Sequence, residues 1–221
     1  MILMLLIVVA AHETGHLAAS RDFGLNVTEM NIGFKIPFLE FISLHIQING
    51  IGINFNPIFL GGYIAIPKEE LNNIGLMDKI IIHGAGGLIN IALGVMVLTA
   101  LGIKNKIKIS ESIKQSLLFP ISLLRTESMQ ETATGHKYTK LLIKINPSLL
   151  QKTFIYFSLA SIIIGILNLL PIYPLDGGKI MFDVIAHFTS EKETEKVIMG
   201  LSLFNFFLLD QRKLIVRAIK K

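Results

Sequence analysis

Cysteine is absent from the 221 residues. Disulfides and thiolate metal sites are therefore excluded, and the redox compartment stays open. Charge is scarce as well: Asp, Glu, Lys and Arg make up 17% of the chain, against about 25% for an ordinary soluble domain. Together with 52% hydrophobic residues and a mean hydropathy of +0.61, this points to membrane embedding. The net charge is only +5 and gives no reason to invoke nucleic acid; basic residues beside apolar runs more often meet the anionic headgroups of a lipid bilayer. No Lys or Arg precedes the first apolar run and no small-residue cleavage site follows it, so a removable signal peptide is not expected. Internal repeats and low-complexity tracts are lacking too. At this length one domain is expected, residues 1–221 forming a single membrane-embedded unit of unknown oligomeric state.

What is present begins with His12-Glu13-Thr14-Gly15-His16, which sits inside an apolar run from Met1 to Ala19. On a helix, positions i and i+4 share a face, so His12 and His16 can offer two imidazoles to one metal. Glu13 projects near that face, where it can hold and deprotonate a water. This is the HExxH arrangement of zinc peptidases. A random shuffle of this composition yields about 0.008 matches, roughly one chance in a hundred, for a pattern with a known mechanism. The bland alternative is a pair of polar residues that cap or snorkel. Two His and a Glu in lipid are costly unless they face protein and bind something, which favours the metal.

The organisation follows from hydropathy and period. Nineteen residues from Met1 reach about 29 Å, one hydrocarbon thickness, so residues 1–22 form a first span with the HExxH motif in its second half. Residues 25–66 change to a period of two: Ile32, Phe34 and Ile36; then Leu44, Ile46 and Ile48; then Ile51, Ile53 and Phe55 alternate with polar or small residues. Asn49-Gly50 between the last two runs is a strong hairpin signal. A small antiparallel, membrane-associated sheet is expected there, with Gly61-Gly62-Tyr63 in a further extended piece. Its edge can pair with an extended substrate, or it is a plain structural linker. From Ile80 to Ile103 no charged residue occurs, which marks a second span, 80–103, rich in small residues suited to close helix packing. Asn90 inside it reads first as an interhelical hydrogen bond, and His83 as interfacial. Residues 104–152 form a basic loop with an interfacial apolar patch, and His136 there is read as a loop histidine. A third span, 153–178, carries Pro171 and Pro174 and then Asp176-Gly177-Gly178. The prolines break the helix near membrane depth, tolerable only where protein or water surrounds it. A short fourth span, Val197 to Leu209, and a basic tail fill 195–221. The fold class is mainly α: a polytopic membrane protein with three core spans, a short fourth and a small β-sheet after the first.

A catalytic zinc needs a third protein ligand and one open position. Asp176 is the candidate, with helix capping as the alternative of equal weight, since Asp is a common N-cap.

Taken together, His12–His16 and Asn168-Leu169-Leu170-Pro171-Ile172-Tyr173-Pro174-Leu175-Asp176-Gly177-Gly178, each in its own apolar span, resemble the site-2 protease family of intramembrane zinc metalloproteases. His16–Gly24, Asn31–Phe34 and Leu60–Ile64 resemble the segments after the HExxH helix in RseP-type members, and Gly86–Asn90 is similar to the family's Gly-Pro-x-x-Asn. Two departures stand out: no PDZ domain occupies 104–152, and Gly87 replaces a proline. The resemblance implies one catalytic Zn2+ held by His12, His16 and Asp176, with Glu13 as the base. It also implies Asn90 or Asn168 as an oxyanion or substrate-positioning contact, and single-span membrane proteins as substrates, in a prokaryotic inner membrane. It puts the HExxH end on the cytoplasmic side. Lys and Arg counts, nine in 104–152 and five in 211–221 against four in 20–79, favour the reverse; the family orientation is adopted because the whole order of motifs follows it. Two other classes compete. A zinc carrier would use the same His and Asp without needing Glu13, and an inactive scaffold would not keep all four chemical residues.

Overall fold

The computed structural model of this protein describes residues 2–36, 42–105, 110–114, 116, 148–189, 193–194, 196–197 and 199–201. Helix α1 (Ile2–Asp22) is followed by four strands, β1 (Glu29–Phe34), β2 (Leu44–Ile48), β3 (Ile51–Phe55) and β4 (Ile58–Ala65). A short helix α2 (Lys68–Asn73) leads to α3 (Leu76–Lys104), and after the basic loop come α4 (Leu149–Asn168) and α5 (Asp176–Phe188). Three of these helices, α1, α3 and α4, are long and apolar enough to cross a membrane. The 29 residues of α3 extend about 43 Å, more than a hydrocarbon core needs. Most of loop 104–152, including His136, most of the short fourth span Val197–Leu209 and the tail lie outside the described residues.

Local chemistry sets the helix ends. Ser148 caps α4, its Oγ accepting from the Gln151 backbone N–H at 3.3 Å while the Gln151 side chain takes the Ser148 N–H at 2.9 Å, a reciprocal capping box. At the other end α4 stops at Asn168, three residues before Pro171, and the chain turns tightly through residues 169–175.

The sheet departs from expectation in one respect. Its strand order is β2-β3-β1-β4, and β1 runs parallel to β3; only the β2–β3 and β1–β4 ladders are antiparallel. Alternation identifies strands but not their neighbours. The β2–β3 hairpin docks on β1 through β3, not through β2. The hairpin itself is as the sequence implies: Asn49 and Gly50 both take positive φ, 51° and 81°, as a two-residue I′ turn demands. Met30, Ile32 and Ile51 on one face of the sheet pack against Val9 of α1. The other face carries a polar chain in which Asn54 bonds Asn31 and His45 at 3.0 and 2.7 Å, which satisfies two buried amides.

Helices α3 and α4 approach closely through small residues. A Cβ at Gly94 would lie 2.5 Å from the Ser158 carbonyl oxygen and from Ile162, which is overpacking of the kind that costs about 1–3 kcal/mol. Gly94→Val is therefore expected to lower the melting temperature of the detergent-solubilised protein, and an unchanged melt would contradict this packing.

Candidate metal centre

The HExxH helix and α3 cross at a point that only glycine permits. A Cβ at Gly15 would sit 2.8 Å from the Ala85 carbonyl oxygen, and one at Gly86 would fall 2.8 Å from His12 Nε2 and closer still to His16 Nε2. The missing side chains let the two imidazoles lie against bare α3 backbone. Asp176 reaches them from α5. It is the first residue of that helix and does not cap it; the N-cap is Leu175. Gly177 and Gly178 behind it let the turn 169–173 lie directly on the first turn of α5, because a Cβ on either would collide with that backbone.

The result is three buried donor atoms in one place. His12 Nε2 and His16 Nε2 stand 2.9 and 3.1 Å from Asp176 Oδ2, and 3.1 Å from each other. Ligand atoms bound to one tetrahedral zinc at about 2.0–2.1 Å lie about 3.3 Å apart, so the trio is already near ligand spacing. Protons argue the same way. His16 Nδ1 lies 2.7 Å from the Ile82 carbonyl oxygen, which can only accept, so Nδ1 carries the hydrogen and a neutral ring leaves Nε2 bare. That lone pair then faces a carboxylate oxygen, two acceptors in contact. At His12, the Asn90 amide meets Nδ1 at 3.3 Å while Asn90 Oδ1 is buried with no hydrogen-bond partner. Amide oxygen and nitrogen exchange by a half-turn; with Oδ1 on His12 Nδ1–H, His12 Nε2 is bare as well. Three lone pairs converging in a buried site fit a cation. Two imidazoles and one carboxylate with a fourth position open is the donor set of a catalytic zinc.

Glu13 is only 3% exposed. Its Oε2 is buried without a partner among the described residues, and its Oε1 packs on β4, where a Cβ at Gly62 would lie 2.7 Å away. An unsatisfied buried carboxylate oxygen is costly and calls for a reason. Glu13, both histidines and Asp176 line one cavity of about 470 Å³, walled on one side by Gly61, Gly62 and Tyr63 of β4, a size suited to a bound ligand.

The family model for peptidase family M50 matches residues 1–209. The chain belongs to that family, and so to the site-2 proteases. Two curated relatives each carry the name "Putative zinc metalloprotease". One, from Synechocystis sp., is 30% identical over 100 residues, 40% of this chain and 26% of its own length. The other, from Borreliella burgdorferi, is 25% identical over 223 residues, 93% of this chain and 45% of its own length. This chain thus spans less than half of either relative.

Within this M50 chain the structure adds residues that the sequence did not single out. Lys179 Nζ takes the second oxygen of Asp176, Oδ1, at 2.9 Å, which leaves Oδ2 to the histidines; the i, i+3 spacing on α5 was a readable signal for it. The Ile82 carbonyl oxygen fixes His16, and no side-chain pattern announces a backbone acceptor. Asn168 lines the cavity, as an oxyanion or substrate contact requires. Asn90 is placed differently from that expectation: fully buried, it lies behind His12 and away from Asp176. There it orients a ligand, the usual task of an outer partner on a metal-binding His.

Two measurements test the centre. Asp176→Ala should reduce zinc bound by the purified protein from near one per chain to a small fraction, read by elemental analysis. Asn90→Asp keeps an acceptor for His12 Nδ1–H, whereas Asn90→Leu removes it. The Leu variant should bind zinc about 10- to 100-fold more weakly in chelator competition and the Asp variant should not; equal loss in both would reject Oδ1 as the acceptor.

Proposed function

We propose that this chain is an intramembrane zinc endopeptidase that hydrolyses peptide bonds of single-span membrane proteins. The observation that carries the reading is the convergence of His12, His16 and Asp176 beside Glu13 in one cavity flanked by apolar helices. Those three side chains would hold a zinc ion, which when bound would supply Lewis acidity to a water and to the scissile carbonyl. The chain's own residues do the rest. Glu13, with Oε2 uncommitted, takes the proton of the attacking water and returns one to the leaving amine. Asn168 contributes a hydrogen bond in the cavity to the substrate carbonyl as charge develops. Lys179 and Asn90 keep two ligands oriented.

A helical substrate hides its carbonyls in i to i−4 bonds and must unwind before attack. Strand β4, at one end of the strand order, is suited to receive the unwound segment by main-chain pairing along Gly61, Gly62 and Tyr63. Substrates with helix-destabilising residues near the cleavage point follow from this. The setting is the lipid bilayer of a prokaryotic inner membrane, the HExxH end facing the cytoplasm as in related members. An uncommitted, buried Glu13 favours hydrolysis over metal carriage, which has no use for a base.

Glu13→Gln is the direct test. Co-expressed with a tagged single-span substrate, it should reduce cleavage by about 10²–10⁴-fold while bound zinc stays unchanged. Persistent cleavage would overturn the assignment.

A further inference from the structure

One ionisable side chain in the cavity wall, His83, is left without a task. His83 Nε2 stands 3.2 Å from Asp183 Oδ2, linking α3 to α5. Asp183 Oδ2 is buried with no hydrogen-bond partner among the described residues. His83 shares its face of α3 with Gly86 and Asn90, at i+3 and i+7. Those two residues touch the paired histidines, so His83 stands one turn, about 5 Å along the helix, from the metal centre. Asp183 is set on α5 at i+7 from Asp176. An ionisable residue inside a span is costly and marks a functional position by default.

The ring has one nitrogen to spare. With the hydrogen on Nε2, the nitrogen nearer an acceptor-only carboxylate, Nδ1 of the neutral ring is an acceptor. Nδ1 has no hydrogen-bond partner among the described residues, and His83 lines the cavity together with His12, Glu13 and Lys179. Apart from Asn168 and Tyr63, the other polar side chains that line the cavity are ligands, a partner of a ligand or the base.

We propose that His83, oriented by Asp183, is a substrate-binding residue whose Nδ1 accepts a hydrogen bond from a backbone N–H of the unwound substrate. This rests on the peptidase reading for the kind of ligand, not for the geometry. Strand β4 offers main-chain pairing from one wall and His83 offers an acceptor from another, so an extended backbone is held from two sides. The site then selects extended peptide over helix, because a helical N–H is already engaged.

The experiment exploits side-chain geometry. Asn at position 83 puts a polar atom where Nδ1 stands, whereas Gln puts one where Nε2 stands. His83→Ala, His83→Asn and His83→Gln are made in the zinc-loaded Glu13→Gln protein. Each is titrated in micelles with a fluorescent single-span peptide carrying a central Asn-Pro. His83→Ala should weaken binding about fivefold to tenfold, one hydrogen bond's worth. His83→Asn should recover most of it and His83→Gln little, with zinc content equal in all. Recovery by Gln rather than Asn, or by both alike, would show that His83 only pins α5 to α3 and would overturn the proposal. Unchanged binding in His83→Ala, or loss of zinc, would overturn it too. Cleavage assays of wild type beside Glu13→Gln keep the two readings apart: if they do not differ, the peptidase reading fails while the peptide titration still decides on His83.

Discussion

Three acceptors held within 3.1 Å of one another are the constraint that the structure is arranged to satisfy. Left alone, the lone pairs of two imidazoles and a carboxylate repel, and burial removes the water that would screen them. They stay together because each is held from behind by a different group: Asn90 and the Ile82 carbonyl on α3, and Lys179 on α5. Those partners are in position only because Gly15 and Gly86 let α1 and α3 touch backbone to side chain, and because Gly177 and Gly178 let a proline-bearing turn lie on α5. Helix packing, turn geometry and metal chemistry are therefore one problem in this protein.

Much of this was legible in advance, and the reasons are physical. HExxH fixes two ligands and a base by helical period alone, and Asn49-Gly50 fixes a hairpin by its dihedral demands. The uncharged stretch from Ile80 to Ile103 corresponds to α3 to within a few residues at each end. Asp176 needed more: local sequence left capping as an equal alternative, and only the family resemblance separated the two. The sheet order escaped because β1–β3 pairing is set by a chain crossing that no local pattern encodes. His83 and Asp183 lie a hundred residues apart and meet only through the packing of α3 on α5. Backbone partners such as the Ile82 carbonyl are invisible to any reading of side chains.

The sheet meets a cost peculiar to its setting. A β-structure near lipid must satisfy its own polar groups, and here one face does so through Asn31, Asn54, His45 and Glu29. The opposite face gives its apolar side chains to α1 and brings the Gly62 backbone against Glu13. Polar wiring on one side thus ties β2, β3 and β1 together, and β1 carries β4, the strand that borders the site.

The late position of Asp176 along the chain has a consequence for biogenesis. Both imidazoles emerge from the ribosome on α1, yet the carboxylate that completes the trio follows 160 residues later, beyond two further hydrophobic helices. A nascent chain inserting into the bilayer therefore holds only two of the three donors until α5 has been made. The trio of donors is completed in one step, when α5 docks on α3.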